Sequence, residues 1–255
     1  MGIATEVTSP GITVLTIDFP PVNALPAQAW FDLAGAVAEA GRDPATHAVV
    51  LRAAGRGFCA GVDIKELQRV PGHDALIGVN RGCHAAFGAV YDCPVPVIAA
   101  VHGFCLGGGI GLAGNADILI ASDDATFGLP EVDRGALGAA THLLRLVPQP
   151  LMRALYYTAT TVTAADLHHH GSVYRLVPRS SLDATALEVA RTIAAKDPRV
   201  IRRAKEALNG IDPQDVHRSY RFEQGFTFEL NLTDAADNAR ETFLHNGTAA
   251  ERESP

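Results

Sequence analysis

The segment at residues 94–114, PVPVIAAVHGFCLGGGIGLAG, constrains the fold of this chain more than any other stretch. Its first part, residues 95–101, is a continuous apolar run of the length typical of a buried strand. Three successive glycines at 107–109 then open an apolar segment that predicts a helix. A strand that passes through glycines into a helix leaves unpaired backbone N–H groups at the helix start, where no side chain blocks a ligand. The segment therefore predicts a turn that binds a phosphate or an oxyanion.

The glycine run does not by itself require a ligand. Successive glycines before a helix also permit close packing between helix and strand. A dinucleotide-binding turn is excluded, because its GxGxxG glycines would follow an early strand, whereas residues 107–109 lie in the middle of the chain. A P-loop is excluded because the chain contains no GxxxxGKS/T motif.

A second glycine-rich loop precedes this segment at residues 55–67, GRGFCAGVDIKEL. Its glycines predict a loop, and Asp63 is placed to cap a helix that begins near Ile64. The loop therefore predicts a second run of exposed backbone N–H groups.

Strand and helix patterns alternate through most of the chain and then become helical. Strands are predicted at residues 12–18, 47–53, 95–101, 116–121 and 173–177. Helices are predicted at 26–40, 75–91, 139–147, 149–159, 163–170, 181–195, 199–210 and 213–230. This order predicts an α/β fold with a helical C-terminal extension.

Composition excludes several classes of protein. A chain of 255 residues can bury a large core as one domain, or as one domain with a helical extension. Neither a membrane span nor a signal peptide is predicted, so a cytoplasmic protein with no membrane partner is expected. The net charge of −7 argues against general binding to nucleic acid.

Neither the cysteines nor the histidines predict a metal site. The cysteines at 59, 83, 93 and 105 have no CxxC spacing, so they are interpreted as reduced thiols. The histidines at 168–170 are consecutive on a predicted helix and do not share a face. They precede Gly171, where a positive charge suits the end of a helix.

Two carboxylates lie in an apolar, glycine-rich segment at residues 126–138. Desolvation would raise the pKa of Glu131 towards the range of a general base. The alternative is that Glu131 forms a buried ion pair with Arg134. Asp133 either faces the same site as Glu131 or lies at the surface.

Four motifs resemble the enoyl-CoA hydratase/isomerase (crotonase) superfamily. They are FCAGVDIKEL, PVIAAVHGFCLGGGIGL, ADILIAS and ATFGLPEVDRGALG, and the resemblance runs from about residue 12 to residue 243. It implies a crotonase-like ββα spiral with a helical C-terminal trimerisation region. Residues 1–195 would form the spiral core and residues 196–255 the region for assembly and active-site cover. It also implies a homotrimer, or a hexamer made of two trimers.

The resemblance implies an acyl-CoA substrate, with coenzyme A as part of that substrate and no separate cofactor. The backbone N–H groups of Val62 and Gly108 would form the oxyanion hole for the thioester. Asp63, Ile64 and Lys65 would contact CoA. The basic residues usual near the Asn-Ala-Leu turn and near residues 243–246 are not evident, so another Arg or Lys must supply that charge.

The carboxylate pattern departs from that of hydratases. Classical hydratases of the family use two glutamates, and the position of the first is Gly111 here. The second is Glu131, in an intact F-G-x-P-E motif. The expected catalytic residues are therefore Glu131 and Asp133. Residues Tyr220, Arg221, Glu223 and Phe226 are further candidates, although interface packing explains them more simply.

Members of the family with one carboxylate include isomerases, decarboxylases and C–C bond hydrolases. Longer runs of the chain resemble an actinobacterial subgroup of steroid (cholesterol) degradation. That subgroup opens a ring of the bicyclic methyl-dioxo-hexahydroindene-carboxyl-CoA by a retro-Claisen type of hydrolysis. The expected function is this ring opening. The alternatives are an enoyl-CoA hydratase or isomerase that uses one glutamate, and a non-catalytic CoA-binding assembly protein.

Overall fold

Strands and helices alternate through the first part of the chain, and helices dominate the remainder. The computed structural model describes residues 1–70 and 72–242. The strands are β1 (Gly2–Ser9), β2 (Ile12–Asp18), β3 (Ala24–Leu25), β4 (Ala48–Ala53), β5 (Gly61–Val62), β6 (Val97–Val101), β7 (Phe104–Leu106), β8 (Ile118–Ser122), β9 (Thr126–Gly128), β10 (Thr161–Thr163) and β11 (Val173–Val177). The helices are α1 (Ala27–Arg42), α2 (Ile64–Arg69), α3 (Asp74–Asp92), α4 (Gly108–Ala113), α5 (Ala140–Leu143), α6 (Gln149–Thr158), α7 (Ala164–His169), α8 (Leu182–Ala194), α9 (Pro198–Gly210) and α10 (Val216–Asn231). Short 3-10 helices span Pro130–Arg134 and Arg179–Ser181.

The central sheet has the strand order β1-β2-β4-β6-β8-β11. Strands β1 and β2 pair antiparallel, and the following strands pair parallel. The inner parallel strands β4, β6 and β8 are buried on both faces, because alternate residues enter two different cores. Val49 and Leu51 of β4 enter the larger core with Trp30. Val50 enters a second core that α8 covers with Leu182.

A repeated unit places the two glycine-rich loops on one side of this sheet. Within the described residues, each of β2, β4, β6 and β8 continues into a short strand of an outer sheet. A helical segment follows in every unit. Strand β3 pairs with β5, and β7 pairs with β9, so successive units bring their loops side by side. This arrangement confirms the expected ββα spiral.

The C-terminal helices pack back onto the spiral. Arg202 of α9 donates hydrogen bonds to the carbonyls of Gly41, Asp43 and Thr46, at 2.8, 2.9 and 3.0 Å. On α10, Gln224 donates to the Asn80 carbonyl at 2.8 Å. These contacts position α10 beside α3. The division between 1–195 and 196–255, and the trimerisation role of the latter, stay predictions.

Most predicted elements form within a few residues of their expected bounds. The predicted helix at 213–230 begins instead at Val216, because the Asp215 side chain accepts a hydrogen bond from the Arg218 N–H at 2.9 Å and caps it. The sequence patterns do not predict strands β1, β3, β5, β7 and β10. The glycine-rich segment at 126–138, for which no strand or helix is predicted, contains β9 and a 3-10 helix.

The C-terminal end of the chain lies outside the described residues. Residues 243–246, near which the family usually has a basic residue, are among those not described, as is the end of the 196–255 region. In the part of the chain that the structure describes, no helix is both long enough and apolar enough to cross a membrane.

Candidate active site

The glycine turn between β7 and α4 exposes a backbone donor. Gly107 has a φ of 55°, in the region that favours glycine, and its N–H donates to the Gly128 carbonyl at 3.1 Å. The first N–H groups of a helix have no acceptor within the helix, and the first bond back to Gly107 comes from Ile110 at 2.9 Å. The Gly108 N–H therefore points out of the helix start. A Cβ on Gly108 would lie 2.6 Å from Cη2 of Trp30, so the turn is seated directly on the core.

The second loop reaches the same place through β5. Gly61 has a φ of 94°, and a Cβ built on it would lie 3.2 Å from the Gly108 nitrogen. The Asp63 N–H donates to the Leu25 carbonyl at 3.0 Å. Because adjacent residues of a strand alternate in direction, the Val62 N–H faces away from β3. The structure thus brings the Val62 and Gly108 loops into contact, as expected for an oxyanion hole.

Glu131 lies against the glycine turn. The pairing of β7 with β9 aligns Leu106 with Gly128, and the 3-10 helix that carries Glu131 follows directly. A Cβ on Gly107 would lie 2.5 Å from Glu131 Oε1, so a side chain at residue 107 would displace this carboxylate from its position. Glu131 Oε2 is buried and has no hydrogen-bond partner among the described residues. An unpaired buried carboxylate oxygen is costly and marks a functional group.

Two small adjoining cavities meet at Glu131. We call inner cavity the space of about 90 Å³ lined by Val62, Leu67, Leu76, Val79, Asn80, Cys83, Phe87, Gly108, Glu131, Ala136, Leu137, Gly138, Ala139, Tyr220 and Thr227. We call outer cavity the space of about 50 Å³ lined by Ala60, Gly61, Val62, Ile64, Leu67, Leu76, Glu131, Arg134, Ala136, Thr227, Asn231 and Arg240. Val62, which is predicted to contribute to an oxyanion hole, lines both.

The electrostatics of the site favour a protonated Glu131. Burial raises the pKa of Glu131 to about 8, while the nearby Arg134 guanidinium and its own backbone N–H partly oppose that rise. The charge of Glu223 also raises the pKa of Glu131, but by less than burial does. Burial also raises the pKa of Glu223 to about 7, against hydrogen bonds from residues 140 and 141. Near neutral pH, Glu131 can therefore exchange a proton, as a general base or acid must.

Asp133 does not share this environment. Its side chain is exposed, and Asp133 lines neither cavity. Residues three apart share a face of a 3-10 helix, whereas residues two apart do not. Arg134 therefore accompanies Glu131 at the outer cavity and Asp133 points elsewhere. The expectation that Asp133 joins Glu131 in the site is not supported by its position.

Of the three residues expected to contact CoA, one lines a cavity, one caps a helix and one lies outside both cavities. Ile64 lines the outer cavity. The Asp63 carboxylate caps α2 by accepting from the Lys65 N–H at 3.0 Å, and it lies 3.5 Å from Arg69 in an ion pair. The Lys65 side chain is exposed outside both cavities. Contacts from Asp63 and Lys65 to CoA thus stay predictions.

Several lining residues were not predicted as site residues. Phe87 and Cys83 come from α3, and Thr227 comes from α10. Sequence periodicity marks them only as parts of buried helix faces. Tyr220, a further candidate, does line the inner cavity. Glu223 accepts a hydrogen bond from the Thr141 N–H at 3.2 Å, whereas Arg221 and Phe226 are exposed.

The histidine run has a local structural explanation. His168 Nδ1 donates to the Val173 carbonyl at 2.8 Å and so ties α7 to β11. Across residues 1–70 and 72–242, no three metal-ligating side chains cluster in a way that would hold an ion.

Comparison with known proteins gives consistent results. A family model described as enoyl-CoA hydratase/isomerase matches residues 7–247. A protein of Rhodococcus jostii named (7aS)-7a-methyl-1,5-dioxo-2,3,5,6,7,7a-hexahydro-1H-indene-carboxyl-CoA hydrolase is 66% identical over 97% of this chain and 96% of its own length. A protein of the same name from Mycobacterium tuberculosis is 66% identical over 96% of this chain and 99% of its own. The crystal structure of an enoyl-CoA hydratase/isomerase from Xanthobacter autotrophicus superposes with a TM-score of 0.86, at 31% identity over 99% of this chain and 94% of that one.

Proposed function

The chain belongs to the enoyl-CoA hydratase/isomerase family, and from that premise we propose that it hydrolyses a carbon–carbon bond in a ring of a bicyclic diketone-CoA thioester. The observation that carries the proposal is that Glu131 is the one carboxylate among the described residues lining the two cavities. The position of the hydratase's other glutamate is Gly111. The names of the two relatives at 66% identity support the same reaction and substrate.

The substrate named for those relatives has a bond prepared for cleavage. Its name places ketones at C1 and C5 and leaves C3a and C4 as the ring alkene. C7a therefore lies between the C1 ketone and an alkene conjugated to the C5 ketone. The molecule is a vinylogous 1,3-diketone, and the bond between C1 and C7a is the one whose electrons can be delocalised after cleavage.

Glu131 starts the proposed reaction as a general base. Its carboxylate takes a proton from water while the water oxygen adds to C1, which gives a tetrahedral alkoxide. Burial strengthens Glu131 as a base, because desolvation raises its pKa to about 8. Apolar walls of the inner cavity, including Leu76 and Val79, separate this step from bulk water.

Collapse of the alkoxide breaks the bond between C1 and C7a. C1 becomes a free carboxylic acid, and the electron pair passes through C3a and C4 to the C5 oxygen. A thioester on C4, the alkene carbon with a free valence, shares this negative charge. The N–H groups of Val62 and Gly108 stabilise the charge on the thioester oxygen.

The proton from Glu131 then returns to the carbanion carbon. The net change is addition of one water and cleavage of one carbon–carbon bond, with no redox step. No separate cofactor is needed, because coenzyme A arrives as part of the substrate. Ile64 at the outer cavity supports a path for the CoA chain, with backbone contacts near Asp63 and Lys65.

A hydratase or isomerase that uses Glu131 alone is the second candidate. It is supported by a probable enoyl-CoA hydratase of Mycobacterium bovis, which is 35% identical over 91% of each chain. A CoA-binding protein without catalysis is a weaker candidate, because it gives no reason for a buried, unpartnered carboxylate oxygen beside two backbone donors.

A homotrimer, or a hexamer of two trimers, is proposed from the family alone. The cytoplasm is proposed as the location, because the free, buried cysteines suit a reducing compartment.

The test is product analysis with purified protein. The bicyclic diketone-CoA and crotonyl-CoA are supplied in parallel, and the products are examined by NMR, since hydration and ring opening both add one water. A new free carboxylate from the bicyclic thioester, without hydration of crotonyl-CoA, supports the proposal. Rapid hydration of crotonyl-CoA, with the bicyclic ring left intact, would overturn the proposal and favour the hydratase.

A further inference from the structure

Gly111 is surrounded by an aromatic ring instead of open space. It lies on α4 and is buried. A Cβ built on Gly111 would lie 2.3 Å from Cε2 and Cζ of Phe87 and 2.6 Å from its Cε1. Real Cβ atoms do not approach other atoms so closely, so even alanine at this position requires the ring to move.

The Phe87 ring is held in place from several sides. Trp30 meets it edge to face with ring centroids 5.6 Å apart, and Tyr220 lies at 5.1 Å. His142 meets it at 5.1 Å and donates from Nδ1 to Asn115 Oδ1 at 2.9 Å. Asn115 in turn donates to the Phe87 carbonyl at 2.8 Å. Movement of the ring would disturb this whole cluster.

The same ring forms part of the substrate space. Phe87 lines the inner cavity together with Gly108 and Glu131. A side chain at residue 111 would therefore project towards the position that the ring fills, at the wall of the inner cavity. The wall at this point is apolar, and it lies in the cavity that holds the proposed base.

We propose that Phe87 is a specificity-determining residue, whose ring takes the space of a second acid at residue 111 and gives the inner cavity an aromatic wall for a cyclic acyl group. This inference rests on the proposed function. It predicts that residues 87 and 111 are coupled: a side chain at 111 is tolerated only when residue 87 is small.

The first test is a stability cycle that needs no substrate. Urea unfolding is measured for Gly111→Ala, Phe87→Leu and the double variant. We expect Gly111→Ala to lower the midpoint in the wild-type background and to lower it clearly less in the Phe87→Leu background, because contacting residues are not additive. Equal effects in both backgrounds would show that the ring does not hold this space, and would overturn the inference.

The second test measures selectivity, defined as kcat/KM for the bicyclic diketone-CoA divided by kcat/KM for crotonyl-CoA. Phe87→Leu is expected to lower this ratio about tenfold or more, a loss within the range of specific pocket contacts. Val90→Ala is the matched control on the same helix, because Val90 is fully buried but lines neither cavity. Its ratio should stay within about twofold of wild type. An unchanged ratio in Phe87→Leu would contradict the role assigned to the ring.

The third test seeks a gain of activity in Phe87→Ala combined with Gly111→Glu. A second acid at 111 is expected to raise crotonyl-CoA hydration about 100-fold over Phe87→Ala alone, since a positioned acid–base group contributes about 10²–10⁴ in rate. A folded double variant that binds acyl-CoA without this gain would refute the exchange of ring for acid.

Failure of the proposed function would give a different pattern. If the wild-type protein leaves the bicyclic ring intact, the proposed function fails, while the stability cycle still decides whether Phe87 occupies the space at 111. If wild type opens the ring and the cycle shows no coupling, only the present inference fails.

Discussion

Glu131 is the side chain on which the proposed chemistry depends. Its carboxylate lies against the glycine turn with one oxygen buried and without a hydrogen-bond partner among the described residues. Burial favours the neutral form, whereas Arg134 favours the charged form. The balance leaves a group that gains or loses its proton near the working pH, as a base that later returns the proton requires.

Glu131→Gln tests this role directly. Glutamine keeps the size of the side chain but cannot accept a proton from water, so kcat for ring opening should fall by about 10²–10⁴. The unfolding midpoint at neutral pH should not fall, because burial favours the neutral form of Glu131 there and glutamine is likewise neutral. Asp133→Asn is the matched control and should retain nearly full activity. Equal losses of kcat in both variants would show that Asp133 takes part in catalysis.

The pH dependence follows from the raised pKa of Glu131. A general base acts in its charged form, so kcat/KM should rise with pH and level off above about 8. A profile that falls over this range would instead identify Glu131 as an acid in the first step.

Stability should show the opposite trend. The folded state holds the Glu131 proton between the ordinary pKa of 4.5 and about 8, whereas the unfolded chain has already released it. The free energy of unfolding should therefore decrease as pH rises through this window. Glu131→Gln should make the decrease smaller and leave the part due to Glu223. An unaltered slope would show that the pKa of Glu131 is not raised in the folded protein.

At the scale of elements, the turn before α4 contacts the proposed base and carries a proposed backbone donor. Gly107 combines a positive φ with close contact to Glu131, and these two effects can be separated. Gly55 provides the comparison, because it has a φ of 82° and a Cβ built on it would meet no atom within 4 Å. A side chain strains the backbone at both positions, but only residue 107 touches the site.

Gly107→Ala and Gly55→Ala should both lower the free energy of unfolding, because alanine is strained at a positive φ, but they should differ in activity. Gly107→Ala pushes the Glu131 carboxylate aside, and kcat should fall about 100-fold, as a small misplacement of a catalytic group does. Gly55→Ala should keep its kcat. Urea unfolding measures the loss of stability in both variants, and steady-state kinetics measures kcat. A normal kcat in Gly107→Ala would show that the contact between residue 107 and the Glu131 carboxylate does not affect activity.

At the scale of the whole molecule, buried polar contacts fix the C-terminal helices to the spiral. Lys205 of α9 is 4% exposed, and its Nζ lies 2.7 Å from Asp117 Oδ1. The other oxygen of Asp117 accepts from the Val97 N–H at 2.8 Å, so the pair connects α9 to the central sheet. Removing one partner of a buried pair leaves an uncompensated charge.

Lys205→Met should lower the free energy of unfolding by about 3–5 kcal/mol. Arg203→Ala is the surface control, because its ion pair with Glu206 is exposed, and should cost less than about 1 kcal/mol. Folded protein of both variants should retain kcat/KM. A Lys205→Met protein as stable as Arg203→Ala would show that this pair does not hold α9 on the spiral.

The sequence by itself determined the parts of the protein that depend on local patterns. The alternating apolar runs indicated the main strands and helices, and the glycines at 61 and 107–109 indicated where the backbone could approach a ligand. The motif around Glu131 indicated the base. These signals are local because a strand period, a positive φ or an absent side chain acts within a few residues.

Only the tertiary structure decided which distant side chains complete the site. Phe87 and Tyr220 lie on different helices, and periodicity could mark them only as buried. The turn of the 3-10 helix placed Arg134, and not Asp133, beside Glu131. Only the packing of the Phe87 ring showed that the space beside Gly111 is filled. Long-range packing sets these neighbours, because each helix presents a whole face to its partner and the fold selects which residues meet.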